Sequence, residues 1–153
     1  VEKEIRRGNL QRTDSVLGRL TYEEQEEITI LGGILGFEEH ERYLLMAAEG
    51  QEPFCWLQSL DDPHLAFVAV NPVLAKRDYQ PEIPPEELAR LEITDLQDEV
   101  MWLVIVTLKE KWEESTVNLM APVVINVKSR QGRQIVLEKG DLSLRYPFLK
   151  SAP

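Results

Sequence analysis

Cysteine is almost missing from this sequence: Cys55 stands alone in 153 residues. A single thiol closes no internal disulfide, a usage that fits a reducing compartment. Long hydrophobic runs are missing as well. The longest, residues 100–106, falls far short of the roughly 20 apolar residues that span a bilayer. Residues 1–11 are charged and carry no apolar core of a signal peptide, so the expected location is the cytoplasm. Histidine is scarce: His40 and His64 have no Cys or His companions at metal-ligand spacing and read as surface residues. No serine sits in a Gly-x-Ser-x-Gly elbow. Cys55 lies between Phe54 and Trp56, the apolar setting of a packed thiol rather than the basic one a nucleophile needs. Gly32-Gly33-Ile34-Leu35-Gly36 lacks the Lys-Ser/Thr that completes a phosphate loop, and no helical pattern follows it. Among 27 carboxylates any pair can be imagined as general acid and base, so acidic pairs carry no catalytic information. No catalytic, metal-binding or phosphate-binding constellation is visible, so neither metal nor cofactor is expected.

Positive charge is also in short supply. There are 27 acidic against 17 basic residues, a net charge of −10. The imbalance is uneven: residues 1–127 hold 25 acidic and 11 basic side chains, whereas residues 128–153 hold two and six. Such a body repels a phosphate backbone, which argues against direct nucleic-acid binding. It attracts and steers a basic protein. Acidity also serves plain solubility, so no single acidic cluster is a site on charge alone.

What the chain does have is a run of short apolar segments divided by turn residues. In residues 53–72, PFCWLQSLDDPHLAFVAVNP, two runs rich in aromatic and β-branched residues flank Asp61-Asp62-Pro63, and Asn71-Pro72 ends the second. This pattern predicts a β-hairpin over residues 54–60 and 65–70. Phe54, Trp56, Leu65 and Phe67 are expected in its core. Further strands are predicted at residues 15–22, with Gly18 as a bulge, and at 28–31, 42–47, 100–108, 117–127 and 134–137. Residues 23–27 and 129–132 read as turns, and Gly32, Gly33 and Gly36 mark a sharp change of direction. The 100–108 strand is apolar at every position but Thr107 and predicts cover on both faces. Pro122 makes the 117–127 strand either an edge or bent at that point. One helix is predicted after Pro84-Pro85, with Glu86 and Glu87 in its first turn and Leu88 and Leu91 on one face. A short helical turn near residues 95–99 is a further possibility. There is no internal repeat and no linker between domains.

The predicted architecture is mostly β, a small antiparallel β-barrel-like single domain with one short helix. Residues 1–11 would be an N-terminal extension and residues 12–150 the domain. A chain of this size buries roughly 70% of its unfolded surface, enough for one core. Trp56 and Trp102 lie in apolar strands and are expected inside. Trp112, in Lys109-Glu110-Lys111-Trp112-Glu113-Glu114, either folds back on the barrel or serves as an exposed binding residue.

The 53–72 segment resembles the central signature of the FliW family of flagellar assembly factors: an F-x-W-L-Q-S strand, a D-P turn, and an L-A-F strand ending in N-P. ITILGGILGFE, residues 28–38, is similar to the family's I-T-F-P-x-G-I-P-G-F-E, with Leu31 and Leu35 where prolines are usual. TVNLMAPVVINV, residues 116–127, resembles its T-x-N-L-x-A-P-I-V-I-N strand. Gly132 to Leu137 follows G-x-Q-x-V-L, and Arg145-Tyr146-Pro147-Phe148 matches its closing R-x-P-x. The resemblance spans residues 12–149. It implies a non-enzymatic binding module that holds flagellin in the cytoplasm and, once flagellin is exported, captures CsrA, an RNA-binding translational repressor. On that footing Asp78, Glu82, Glu86 and Glu87 are candidates for CsrA capture. Asn71, Asn118 and Trp112 are candidates for flagellin, although both asparagines equally suit strand ends and turns. A small-molecule-binding or hydrolytic β-barrel is the alternative, and it would need an interior with convergent polar groups.

Overall fold

Alternation of buried and exposed residues along short strands gives a sheet that must hide one face, and here it does so by closing on itself. The computed structural model describes residues 10–15, 17–95, 100–138, 140 and 142–148. In chain order the strands are β1 (Leu10–Ser15), β2 (Gly18–Glu23), β3 (Glu27–Ile30), β4 (Arg42–Ala47), β5 (Cys55–Ser59), β6 (Ala66–Val70), β7 (Val100–Thr107), β8 (Thr116–Val117), β9 (Val123–Asn126), β10 (Gln131–Gln134) and β11 (Tyr146–Pro147). Among the described residues there is one α-helix, α1 (Pro85–Arg90). β1 and β2 form a separate hairpin. β3 to β7 pair in sequence, β7 also pairs with β9, β9 with β10, and β10 with β3, closing a seven-stranded barrel. β8 and β11 extend the outer edge of β7.

Directions cannot alternate all the way round a closed ring of seven strands. The exception falls at β10–β3, the parallel pair, where Gln131 faces Thr29 and Gly132 faces Ile30. Leu31 N–H donates to the Gly132 carbonyl at 2.8 Å and Thr29 N–H to the Arg130 carbonyl at 3.0 Å. A Cβ on Gly132 would stand 2.8 Å from Ile125 Cγ1 and 2.9 Å from the Val124 carbonyl oxygen, so on its β9 side this position has room only for glycine.

Inside the barrel, Ile28, Ile30, Tyr43, Leu57, Ala69, Leu103, Val123 and Ile125 are buried together. Ile34 joins them from the 31–38 loop, which folds over the barrel end and leaves it only 3% exposed. Two outer clusters cover the other face of the sheet. One joins Val70, Tyr79, Val104, Val117, Leu119 and Phe148; the other joins Ile83, Leu91, Ile93, Val124, Ile135 and Leu137. Trp102 and Leu142 pack against both. β7 is therefore covered on its two faces as its apolar run predicts, with Leu103 inward and Val104 outward.

The hairpin β5–β6, strand β4 and helix α1 stand close to their expected positions. Leu88 and Leu91 point into the second outer cluster. Four expectations change. Residues 15–22 are not one bulged strand: the chain turns between Ser15 and Gly18, whose φ is +99°, and the Ser15 hydroxyl bonds across the turn. The 117–127 strand is broken into β8 and β9 by a turn in which the Asn118 carboxamide accepts from Met120 N–H and Ala121 N–H. The last ring strand is Gln131–Gln134 rather than residues 134–137, because Gly132 serves close approach and not a turn. Trp56 is half-buried on the outer face, in register with Met46 and Val68, while its neighbour Leu57 fills the interior. The possible turn at residues 95–99 lies, beyond Asp95, outside the described residues.

Gly132→Ala should destabilise the protein by about 1–3 kcal/mol through overpacking against Val124 and Ile125 of β9. The expected reading is a lower denaturation midpoint with an unchanged m-value.

Candidate functional site

The segment after β6 carries most of the residues singled out from sequence. Asn71 accepts from Val73 N–H at 3.1 Å and caps the 3-10 turn Pro72–Leu74. Tyr79 is buried, and its hydroxyl donates to the Leu119 carbonyl at 2.7 Å. Burial raises the Tyr79 pKa. From there Gln80 to Pro84 runs across the outside of the barrel into α1. Asn126, 3% exposed at the end of β9, donates to the Leu91 carbonyl at 2.7 Å and fixes the far end of the helix. Its oxygen accepts from Lys128 N–H at 3.0 Å, shaping the turn into β10.

Between this segment and the barrel lies a groove of about 1300 Å³. One wall is residues 76–87. The other combines the loop after β3, from Leu31 to Glu38, with the end of β10 and the chain that follows it, from Arg133 to Glu138. These two pieces are a hundred residues apart in sequence and meet through the parallel β3–β10 pairing. Arg133 Nε reaches Glu87 Oε2 at 2.7 Å and so ties the walls together. Arg90 approaches the same carboxylate at 3.8 Å, and Lys76 pairs with Asp78 at 2.5 Å. The lining holds six carboxylates and two cations, which leaves the groove acidic even after those pairs form.

The structure thus brings Asp78, Glu82, Glu86 and Glu87 to one concavity. Glu82 and Glu86 are exposed, whereas Glu87 is mostly covered and engaged with Arg133. Trp112, Asn118 and Asn71 do not line it. Trp112 is 52% exposed on the 3-10 turn Trp112–Glu114, in a loop closed by Lys109 N–H to the buried Ser115 hydroxyl. The carboxamides of both asparagines hold neighbouring backbone N–H groups. Sequence reasoning missed Glu38, Leu35, Arg133, Gln134 and Val136 as groove residues. Only the exposed apolar character of Leu35 and Val136 could have hinted at them, and exposure is not written in the sequence.

The groove is wider than the roughly 300–1,000 Å³ typical of small-ligand sites and lies outside the barrel. The lumen itself is filled by the Ile28, Tyr43 and Leu57 cluster. Cys55 is half-buried, its thiol donates to the Ala69 carbonyl at 3.4 Å, and burial pushes its pKa from 9.0 up to about 11. The Tyr43 hydroxyl is pushed up to about 12 by burial and by the charge on Asp61. No group of three or more metal-ligating side chains occurs among the described residues. No helix among them is long and apolar enough to cross a membrane.

Two measurements bear on this geometry. Cys55 should react with a disulfide reagent far more slowly in the folded than in the unfolded protein at pH 8, because so little thiolate is present. Since the folded pKa is the higher one, the unfolded chain loses this proton first. Its contribution to stability is intact below pH 9.0 and is lost as pH rises toward about 11, read as a falling denaturation midpoint. Asn126→Ala should cost about 1–3 kcal/mol by orphaning the Leu91 carbonyl, read as a lower melting temperature.

Comparison with known proteins gives this architecture a name. The family model described as FliW protein matches residues 11–149. A flagellar assembly factor FliW from Syntrophus aciditrophicus is 40% identical over 134 residues, covering 88% of this chain and 84% of the relative. One from Geobacter sulfurreducens is 38% identical over 140 residues, covering 92% and 87%. The crystal structure of a flagellar assembly factor FliW superposes with a TM-score of 0.86 at 29% identity, covering 92% of this chain and 99% of that one. With the closed barrel, the outer helix segment and these matches in agreement, the chain belongs to the FliW family of flagellar assembly factors.

Proposed function

We propose that this protein is a non-enzymatic, cytoplasmic partner-switching factor. It holds flagellin, and when flagellin is exported it captures a CsrA-type translational repressor and so couples flagellin synthesis to export. The observation that carries this reading is the acidic groove, in which Asp78, Glu82, Glu86 and Glu87 from one wall face Glu38 and Glu138 from the other. A concavity of this size and charge suits a segment of a basic protein, and a small RNA-binding dimer is basic by trade. The rigid floor supports the same reading: a packed barrel leaves little to reorganise on binding, so the binding free energy is not spent on ordering the site. Flagellin is assigned to a different surface, the exposed Trp112 on its stapled loop, where a large aromatic has the character of an interface anchor. Asn71 and Asn118 act there indirectly, by shaping the turns beside β6 and β8.

The test is direct binding of the purified protein to flagellin and to a purified CsrA-type regulator from a flagellated bacterium. Both are expected to bind, and binding of neither would sink the proposal. Glu82→Lys with Glu86→Lys should slow association with the regulator by about 10-fold at low salt and flatten its salt dependence. Flagellin binding should be weakened instead by Trp112→Ala. Association of the regulator that is unchanged at low and high salt would remove the groove from its interface.

A further inference from the structure

The groove is not uniformly polar. Leu35 and Val136 line it and are 53% and 47% exposed. Leu31 and Ile83 line it as well and pack into the second outer cluster. An exposed leucine on a loose loop would mean little, but Leu35 is held from three sides. Its own N–H donates to Gln134 Oε1 at 2.7 Å, and Gln134 Nε2 donates in turn to the Ala121 carbonyl at 3.1 Å. Its neighbour Ile34 is buried in the barrel end. Gly36 N–H on the other side is taken by Glu38 Oε2 at 3.1 Å, and Gly33 sits so close to Glu38 that a Cβ there would stand 2.7 Å from its Cα. The Gln134 bond therefore holds the Leu35 backbone in place at the groove.

We propose that Leu35 and Val136 form an apolar anchor subsite within the acidic groove. It receives one apolar side chain from a partner segment that carries basic residues on either side of it. Gln134 is its positioning residue. The assignment rests on the groove being the regulator's site, and it adds what charge alone cannot: rim carboxylates govern the encounter, while the anchor governs how long the complex lasts. The basic flanks follow from the lining, in which six carboxylates outnumber two cations already paired with Asp78 and Glu87. The apolar centre follows from Leu35 and Val136, two exposed hydrophobic side chains in the groove lining.

The probe is a purified CsrA-type regulator, with association and dissociation rates measured across a salt series. Leu35→Ser and Val136→Ser should each raise the dissociation rate by about 10-fold and leave the salt slope unchanged. Glu82→Lys with Glu86→Lys should do the reverse. Leu35→Met, which keeps an apolar side chain and the N–H, should stay within about threefold of the parent. Gln134→Leu should raise the dissociation rate although it deletes no apolar contact, an effect that a purely structural glutamine would not produce once melting shows the fold intact. Because Leu35 and Val136 are exposed, both serine variants should melt with the parent. Dissociation rates unchanged in both serine variants, with the charge variant still impaired, would overturn the anchor and leave the groove standing. Insensitivity to every one of these changes would overturn the groove assignment and the anchor together.

Discussion

Closure of the barrel at the β10–β3 pair is the constraint on which the rest depends. Seven strands cannot alternate in direction round a ring, so one parallel contact is obligatory, and it is made by only two residue pairs. Short parallel contacts are intrinsically weak, and this one is reinforced by flanking bonds at Thr29 and Leu31 and by the Arg130 guanidinium, which donates to the Glu26 carbonyl at 2.8 Å. On its other side β10 lies against β9, where Gly132 leaves no room for a side chain beside Val124 and Ile125. Once the ring is shut, its interior becomes a single apolar core without a free edge on the seven strands.

The same seam creates the site. A parallel pair sends both chains out at one end of the barrel, so the 31–38 loop and the 133–138 segment leave side by side and make one wall. The opposing wall is the 76–87 segment, pinned by Tyr79 to Leu119 and by Asn126 to Leu91. The two walls face each other across the groove and are bridged by Arg133 and Glu87. The lining that results is acidic and partly apolar.

How much was legible beforehand varies with the kind of signal. β4 could be read to the residue because its apolar run is bounded by charge, and the β5–β6 hairpin because Asp61-Asp62-Pro63 is unambiguous turn chemistry. α1 was legible from Pro84-Pro85 and the Leu88–Leu91 spacing. The misplacement of β10 came from reading Gly132 as a breaker, when its purpose is close contact with Ile125 and Val124, residues that a local window does not contain. Trp56 was expected inside because aromatic residues in apolar strands usually are. Which face of a strand looks inward is set by register with β4 and β6, not by the strand's own composition. The four acidic candidates were found because they are close in sequence. Their counterparts Glu38, Arg133 and Val136 were not, because nothing local marks a groove wall assembled from distant segments.

The sequence by itself determined the family, the β character, the acidity and the positions of most turns, since each is encoded in nearest neighbours and in periodicity. Tertiary structure alone decided that the ring closes through a parallel pair, that Leu35 is fixed by Gln134 a hundred residues away, and that scattered carboxylates share one concavity. The physical reason is common to all three. They depend on contacts between segments far apart in the chain, and such contacts exist only after the barrel has closed.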